Sequence, residues 1–131
     1  MQRSALKTIL YVDDEPDIRE VVQMSLSLVE GLDVQICESG ERALQIMPTL
    51  KPDLVLLDVM MPGMDGPSTL QRMRSIPELA SIPVVFMTAK AMPQEVARFR
   101  ELGAESVIAK PFDPIKLGHQ VIAVWESIAD G

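Results

Sequence analysis

Five short apolar runs recur along the chain, each bounded by charged residues, proline or glycine. Runs of this length between turn-forming residues are typical of strands buried in a sheet. The second run alternates apolar and polar positions at Val34, Gln35 and Ile36, which predicts a strand with one less-covered face, at a sheet edge. The predicted strands span residues 8–12, 33–37, 54–58, 83–88 and 106–109.

Apolar residues at helical spacing fill the segments between these strands. Ser39 and Asp113 are the predicted N-caps of the second and fifth helices, and Gly31 is the predicted C-cap of the first. Pro48 and Pro52 mark the exit of the second helix. The predicted buried positions are Ile18, Val21, Val22, Ser25 and Leu28 or Val29; Ala43, Leu44 and Met47; Leu70 and Met73; Val96, Phe99 and Leu102; and Leu117, Val121, Val124, Trp125 and Ile128.

Strands that alternate with helices predict βαβ units, in which helices cover both faces of a parallel sheet. We therefore predict an α/β fold, a doubly wound five-stranded parallel sheet of order 2-1-3-4-5 with a flavodoxin-like (βα)5 arrangement. The 131 residues suit one domain. We expect a single domain over residues 1–131, with a core over about residues 7–128, and no output domain.

Four of the five predicted strands have a polar group at their C-terminal end, and the C-terminal ends of parallel strands share one edge of the sheet. Asp13 and Asp14, Asp58, Thr88 and Lys110 are therefore expected to meet there. Each of them alone has an ordinary explanation as a helix cap, a turn residue, a strand end or a solvated side chain. Their agreement on one edge favours a functional site instead.

The chemistry of this set suits phosphoryl transfer. Three carboxylates held together repel one another, and a hard divalent cation such as Mg²⁺ relieves that repulsion. Lys110 would supply a positive charge for phosphoryl oxygens, and Thr88 a hydroxyl donor. Asp58, at the centre of the edge, is the candidate nucleophile that forms an acyl phosphate.

Composition narrows the remaining classes of function. The net charge of −7, without any basic run, argues against a nucleic-acid surface. No apolar stretch is long enough for a membrane helix or a signal peptide, so we expect a cytoplasmic protein without a membrane partner. Cys37 and His119 are each the only residue of their type, which excludes an internal disulfide and leaves too few ligands for a zinc site of Cys and His. We expect Cys37 to be a small buried residue.

Four separated motifs resemble the receiver domain of bacterial response regulators, the phosphorylatable part of two-component signalling systems. The resemblance extends from the first strand to the last helix and is closest to stand-alone receivers of the chemotaxis-regulator type. The motifs are Val12-Asp13-Asp14-Glu15-Pro16, Leu56-Leu57-Asp58-Val59-Met60-Met61-Pro62-Gly63-Met64-Asp65-Gly66, Met87-Thr88-Ala89, and Gly103-Ala104 through Ala109-Lys110-Pro111-Phe112.

The resemblance implies that Asp58 is the phosphoacceptor. The donor would be a phosphohistidine on a histidine kinase or a histidine phosphotransfer domain. Asp13 and Asp14, together with Asp58 and the backbone carbonyl of Met60, would bind Mg²⁺. Such a domain is not an enzyme in the usual sense, although it assists its own phosphorylation and dephosphorylation.

The resemblance also implies a switch. Thr88 would be the hydroxyl that bonds the phosphoryl group, and Lys110 would be its counter-charge, with a cis peptide bond to Pro111. Many receivers carry Tyr or Phe three residues before the lysine, and that ring moves inward when the threonine moves. Val107 stands at this position and has no ring. We therefore expect switching to proceed without the aromatic step.

Several alternatives follow from the same motifs. The chain could pass its phosphoryl group onward as a phosphorelay intermediate, or it could be the receiver part of a longer regulator. Its downstream protein target is unknown, and the resemblance allows a phosphorylation-dependent dimer. A phosphatase with an aspartate nucleophile is a distant alternative. Such phosphatases resemble the pattern Asp-x-Asp, in which a second acid two residues after the nucleophile donates a proton, and Met60 stands at that position here. A flavin carrier would need a hydroxyl-rich loop in place of Asp13-Asp14-Glu15, and the glycine motifs of nucleotide-binding folds are absent.

Overall fold

The computed structural model describes residues 5–130, so the predicted domain limits at residues 1 and 131 lie outside the described part. Five strands and five helices alternate along it. In chain order they are β1 (Thr8–Val12), α1 (Pro16–Ser27), β2 (Asp33–Cys37), α2 (Gly40–Leu50), β3 (Leu54–Asp58), α3 (Gly66–Ser75), β4 (Val84–Thr88), α4 (Pro93–Glu101), β5 (Ser106–Ala109) and α5 (Leu117–Asp130).

All strand pairs are parallel, and the sheet order is β2-β1-β3-β4-β5. This confirms the predicted fold class. β3 lies at the centre, and every residue of β3 and β4 is buried. β2 lies at an edge as predicted, with Gln35 exposed and Cys37 buried. Burial raises the pKa of the Cys37 thiol to about 11, which keeps it protonated and unreactive at neutral pH.

The two faces of the sheet carry separate apolar clusters, because successive strand residues point to opposite faces. Leu10 and Val12 of β1 pack in the cluster that contains residues of α2, α3 and α4. Ile9 and Tyr11 pack in the other cluster, with residues of α1 and α5. No helix among residues 5–130 is long and apolar enough to span a membrane.

The predicted end of α1 is wrong. The helix ends at Ser27, and Gly31, with φ of +90°, belongs to the turn that follows. The Leu28 N–H donates to the carbonyl three residues back at 3.3 Å, which closes the helix before Gly31 is reached. The buried stripe shifts accordingly: Leu28 is 71% exposed, Val21 is also exposed, and the unpredicted Leu26 is fully buried. The buried face of α1 is therefore rotated about the helix axis relative to the predicted one.

Two further helix predictions need correction. Pro48 lies inside α2, because the chain continues helically to Leu50. Leu102 is the C-cap of α4 and is exposed rather than buried. The N-cap of α2 is confirmed: Ser39 Oγ accepts the N–H of Arg42 at 3.0 Å.

The fifth helix begins at Leu117, later than the predicted start at Asp113-Pro114. Asp113 nevertheless organises the entry. Its side chain accepts the N–H of Ile115 at 2.9 Å, and its backbone carbonyl accepts the N–H of Leu117 at 3.0 Å. A turn stabilised by Asp113 therefore precedes the regular helix.

Candidate functional site

Three carboxylates meet at the C-terminal edge of the sheet. Asp13 and Asp14 follow β1, and Asp58 is the last residue of the neighbouring β3. Each offers one oxygen, and these oxygens all lie within 4.8 Å of one another. Asp13 is fully buried and Asp58 is 5% exposed, while Asp14 is half-buried. The topology thus brings together the acids that the sequence had marked at separate strand ends.

Lys110 lies between two of these acids. Its Nζ is 2.9 Å from Asp13 Oδ2 and 2.9 Å from Asp58 Oδ1, and its side chain is 17% exposed. Burial lowers the pKa of Lys110, but its hydrogen bonds and charge interactions with Asp58 and Asp13 outweigh this, so the pKa is raised overall. The side chain therefore carries a full positive charge at neutral pH.

The pKa of Asp58 is raised above its usual value. Burial is the largest cause, the hydrogen bond from Lys110 opposes it, and the charge of Asp13 adds to it. Three carboxylates and one ammonium leave two uncompensated negative charges in this cluster (−3 + 1 = −2). Oxygen donors with excess negative charge fit a hard divalent cation such as Mg²⁺.

The other predicted site residues differ in their position relative to this edge. Thr88 ends β4, is buried, and accepts the N–H of Lys90 on its Oγ1 at 3.0 Å. The peptide bond between Lys110 and Pro111 is cis, as expected. Val107 of β5 is half-buried, pairs in register with a β4 residue and packs against the cluster that contains residues of α2, α3 and α4. Met60 is 74% exposed.

Comparison with known proteins identifies the family. The family model described as response regulator receiver domain matches residues 9–122. The chain belongs to the response regulator receiver domain family. Receivers of this family act as phosphoacceptors in two-component signalling, where they work with histidine kinases.

Relatives with full-length sequences are longer than this receiver. It is 35% identical over 125 residues to the phosphate regulon transcriptional regulatory protein PhoB of Pseudomonas aeruginosa, covering 95% of this chain and 54% of that protein. It is 38% identical over 115 residues to the DNA-binding response regulator MtrA of Mycolicibacterium smegmatis, covering 88% and 49%. The chain thus spans about half the length of the curated relatives it matches.

A solved structure of similar size agrees with the fold of the receiver. The chemotaxis protein CheY4 of Vibrio cholerae superposes with a TM-score of 0.82 at 28% identity, covering 92% of this chain and 99% of that one. The likeness therefore extends over the whole sheet and its helices.

Two residues that contact Asp13 were missed in the sequence. Tyr11 is fully buried, and its hydroxyl donates to Asp13 Oδ2 at 2.5 Å. Arg19 Nη1 donates to the Asp13 backbone carbonyl at 2.7 Å. Side chains along a strand alternate between its two faces, so residues 11 and 13 lie on the same side. The tyrosine hydroxyl two residues before Asp13 was therefore the feature of the sequence that could have predicted this contact. Burial and the contact with Asp13 raise the pKa of Tyr11, which keeps its hydroxyl a donor.

The loop after Asp58 folds back onto the end of β3. The Gly66 N–H donates to the Val59 carbonyl at 2.9 Å, which brings the first residue of α3 against the backbone of the acid. A Cβ on Gly66 would lie 2.6 Å from the Asp58 carbonyl oxygen. Only glycine allows this approach. Asp65 then caps α3 by accepting the N–H of Ser68 at 2.9 Å.

Proposed function

We propose that Asp58 accepts a phosphoryl group from a phosphohistidine of a histidine kinase or a histidine phosphotransfer domain. The reaction would depend on Mg²⁺ held by Asp13, Asp14, Asp58 and the backbone carbonyl of Met60. The observation that carries this proposal is the position of Lys110, whose Nζ lies 2.9 Å from both Asp13 and Asp58 beside three clustered carboxylates.

The chemistry assigns a task to each side chain. An Asp58 carboxylate oxygen attacks the phosphorus, the new O–P bond forms, and the P–N bond to the donor imidazole breaks. Lys110 can exchange its contact with Asp58 for one with a phosphoryl oxygen, since its ammonium already lies at that carboxylate. When bound, Mg²⁺ would neutralise charge on the phosphoryl oxygens. Later attack by water on the phosphorus would break this O–P bond, release inorganic phosphate and return the carboxylate.

The switch would begin at Thr88. Its Oγ1 now accepts a backbone N–H from Lys90, so a bond to a phosphoryl oxygen would pull on the loop between β4 and α4. Val107 offers no ring that could follow this movement. We therefore propose that the signal passes through this loop to a protein partner, and that phosphorylation can favour a dimer.

A second candidate role is that of a receiver within a longer regulator. It is favoured by the match to about half of each curated relative. PhoB and MtrA are, by their names, transcriptional and DNA-binding regulators, so the expectation of no nucleic-acid partner stays a prediction for this chain. A phosphorelay intermediate uses the same site and remains a third form of the proposal. We also propose a cytoplasmic location.

A phosphatase is the distant alternative. That class would need an acid at position 60 to protonate a leaving group. Met60 has an exposed thioether there, which cannot serve as a proton donor. The site therefore favours phosphoryl acceptance over hydrolysis of a separate substrate.

Labelling with acetyl phosphate and Mg²⁺ tests the phosphoacceptor. We expect intact-mass spectrometry to show one added phosphoryl group on the wild-type protein and none on Asp58→Asn, because an amide is too weak a nucleophile. Asp65→Asn is the matched control, since Asn can replace Asp as the cap of α3 and position 65 lies outside the carboxylate cluster. Labelling of Asp58→Asn at the wild-type level would contradict the assignment.

A further inference from the structure

The Tyr11 side chain places a polar group inside an otherwise apolar cluster. Its ring packs among residues of the sheet, α1 and α5, and it is one of the largest fully buried side chains. Burying a hydroxyl without a partner is unfavourable, so an apolar side chain would suit this cluster better if packing alone mattered. The contact that satisfies the hydroxyl is Asp13 Oδ2, at 2.5 Å.

Asp13 is held from three directions. Its Oδ1 accepts the N–H of Glu15 at 2.9 Å, and its Oδ2 accepts Tyr11 Oη at 2.5 Å and Lys110 Nζ at 2.9 Å. A donor on an ionised acceptor makes a shorter and stronger bond than one between neutral groups. Together these bonds fix the rotation of the carboxylate.

The three donors differ in how firmly each is held next to the Asp13 carboxylate. Lys110 also contacts Asp58 and would turn to the phosphoryl group in the proposed reaction. The Glu15 N–H belongs to the loop after β1, whereas Tyr11 lies within β1 and is enclosed by the cluster. The hydroxyl of Tyr11 is therefore the donor with the most rigid attachment.

We propose that Tyr11 is a positioning residue that orients Asp13 for Mg²⁺. This rests on the proposed function, which places Mg²⁺ at the carboxylate cluster. Groups that orient a metal ligand without touching the metal typically change metal affinity by 10–100-fold when removed. Tyr11→Phe keeps the ring and removes the hydroxyl alone, so we expect Mg²⁺ to bind roughly 10-fold more weakly.

Calorimetric titration of Mg²⁺ into the unphosphorylated protein measures this affinity without any reaction. Ser25→Ala is the matched control. Ser25 is buried on the same side of the sheet and its Oγ donates to the Val21 carbonyl at 2.8 Å, so the variant loses a buried hydroxyl that does not contact a carboxylate. We expect the dissociation constant to rise in Tyr11→Phe and to stay at the wild-type value in Ser25→Ala.

The kinetics of labelling by acetyl phosphate separate positioning from general damage. The Mg²⁺ concentration at half-maximal rate should rise roughly 10-fold in Tyr11→Phe, while the rate at saturating Mg²⁺ stays close to wild type. Equal Mg²⁺ affinity in Tyr11→Phe and wild type would overturn the inference, as would an equal loss in Ser25→Ala.

A measurement on the unmodified protein removes any dependence on how the variant folds. Tyr11 is the only tyrosine in the chain, so tyrosine labelled with ¹³C at Cζ gives a single resonance. Its chemical shift should change during a Mg²⁺ titration, and the midpoint of this change should match the midpoint measured by calorimetry. A chemical shift that is unchanged at saturating Mg²⁺ would overturn the inference. If the wild-type protein binds no Mg²⁺, both the proposed function and the inference about Tyr11 fail. If it binds Mg²⁺ and the Tyr11→Phe substitution leaves the affinity unchanged, only the inference fails.

Discussion

At the scale of single residues, the ammonium of Lys110 compensates two carboxylates that are almost completely removed from water. Asp13 and Asp58 lie 45 positions apart in the chain (58 − 13 = 45), and among the described residues neither carboxylate accepts a hydrogen bond from another cationic side chain. A buried charge without a partner is costly, which explains why this lysine is held in place. In the proposed reaction, the same charge would meet a phosphoryl group.

Replacing this lysine should slow phosphoryl transfer far more than it disturbs the fold. In Lys110→Ala we expect labelling by acetyl phosphate to slow roughly 100-fold or more, because a preorganised charge at the reacting oxygens is lost. Far-UV circular dichroism in the presence of Mg²⁺ should still show the folded domain. Lys116→Ala removes an exposed lysine from the turn before α5 and should label like wild type. A wild-type rate in Lys110→Ala would mean that this charge only balances the buried acids and takes no part in phosphoryl transfer.

At the scale of elements, the end of β3 and the start of α3 form one rigid unit around the acid. Gly66 brings the helix to the Asp58 backbone, and Asp65 caps the helix. The positions of strands followed from apolar runs bounded by breakers, and all five strands lie where they were predicted to within one residue. Helix ends were harder to predict, because the last turn of α1 and the entry to α5 depend on local hydrogen bonds.

Adding a methyl group at the junction of β3 and α3 should damage both stability and the site. In Gly66→Ala the new Cβ would meet backbone atoms, at 2.6 Å from the Asp58 carbonyl oxygen and 2.9 Å from Val59 Cα. We expect a loss of about 1–3 kcal/mol in unfolding free energy, measured by urea titration, together with slower labelling.

A second helical glycine provides the control for this junction. In Gly118→Ala the nearest atom is Cγ2 of Val29, a side-chain methyl rather than a backbone atom, so the cost in unfolding free energy should be smaller. Its labelling rate should stay close to wild type. Equal stability and equal labelling of Gly66→Ala and wild type would show that the junction tolerates a side chain.

At the scale of the whole molecule, the carboxylate cluster works against the stability of the fold. The topology gathers acids at one edge of the sheet, where burial raises the pKa of Asp58 and the charge of Asp13 adds to the effect. The folded state therefore holds the Asp58 proton more tightly than the unfolded state does. As pH rises from the ordinary value of 3.8 through the raised pKa, the unfolded state releases this proton first, and the free energy of unfolding falls.

This predicts a pH-dependent gain in stability for Asp58→Asn. In EDTA, the difference in unfolding free energy between the variant and wild type should grow as pH rises through that window and stay positive at pH 7, as measured by urea titration at several pH values. Asp33→Asn, at the exposed start of β2, controls for the loss of one negative charge. If Asp58→Asn were less stable than wild type at pH 7, burial and repulsion would not make the ionised Asp58 destabilising, and the prediction would be wrong.

The amino-acid sequence by itself determined the order and type of the elements, the edge position of β2, and which strands end in or lead directly to Asp13, Asp58, Thr88 and Lys110. These features are encoded locally, in hydrophobic periodicity and in the residues that interrupt it. Tertiary structure alone decided the contacts that make these residues a site. Packing of segments remote in sequence places Lys110 between two acids, brings Tyr11 to Asp13, and sets the buried face of α1.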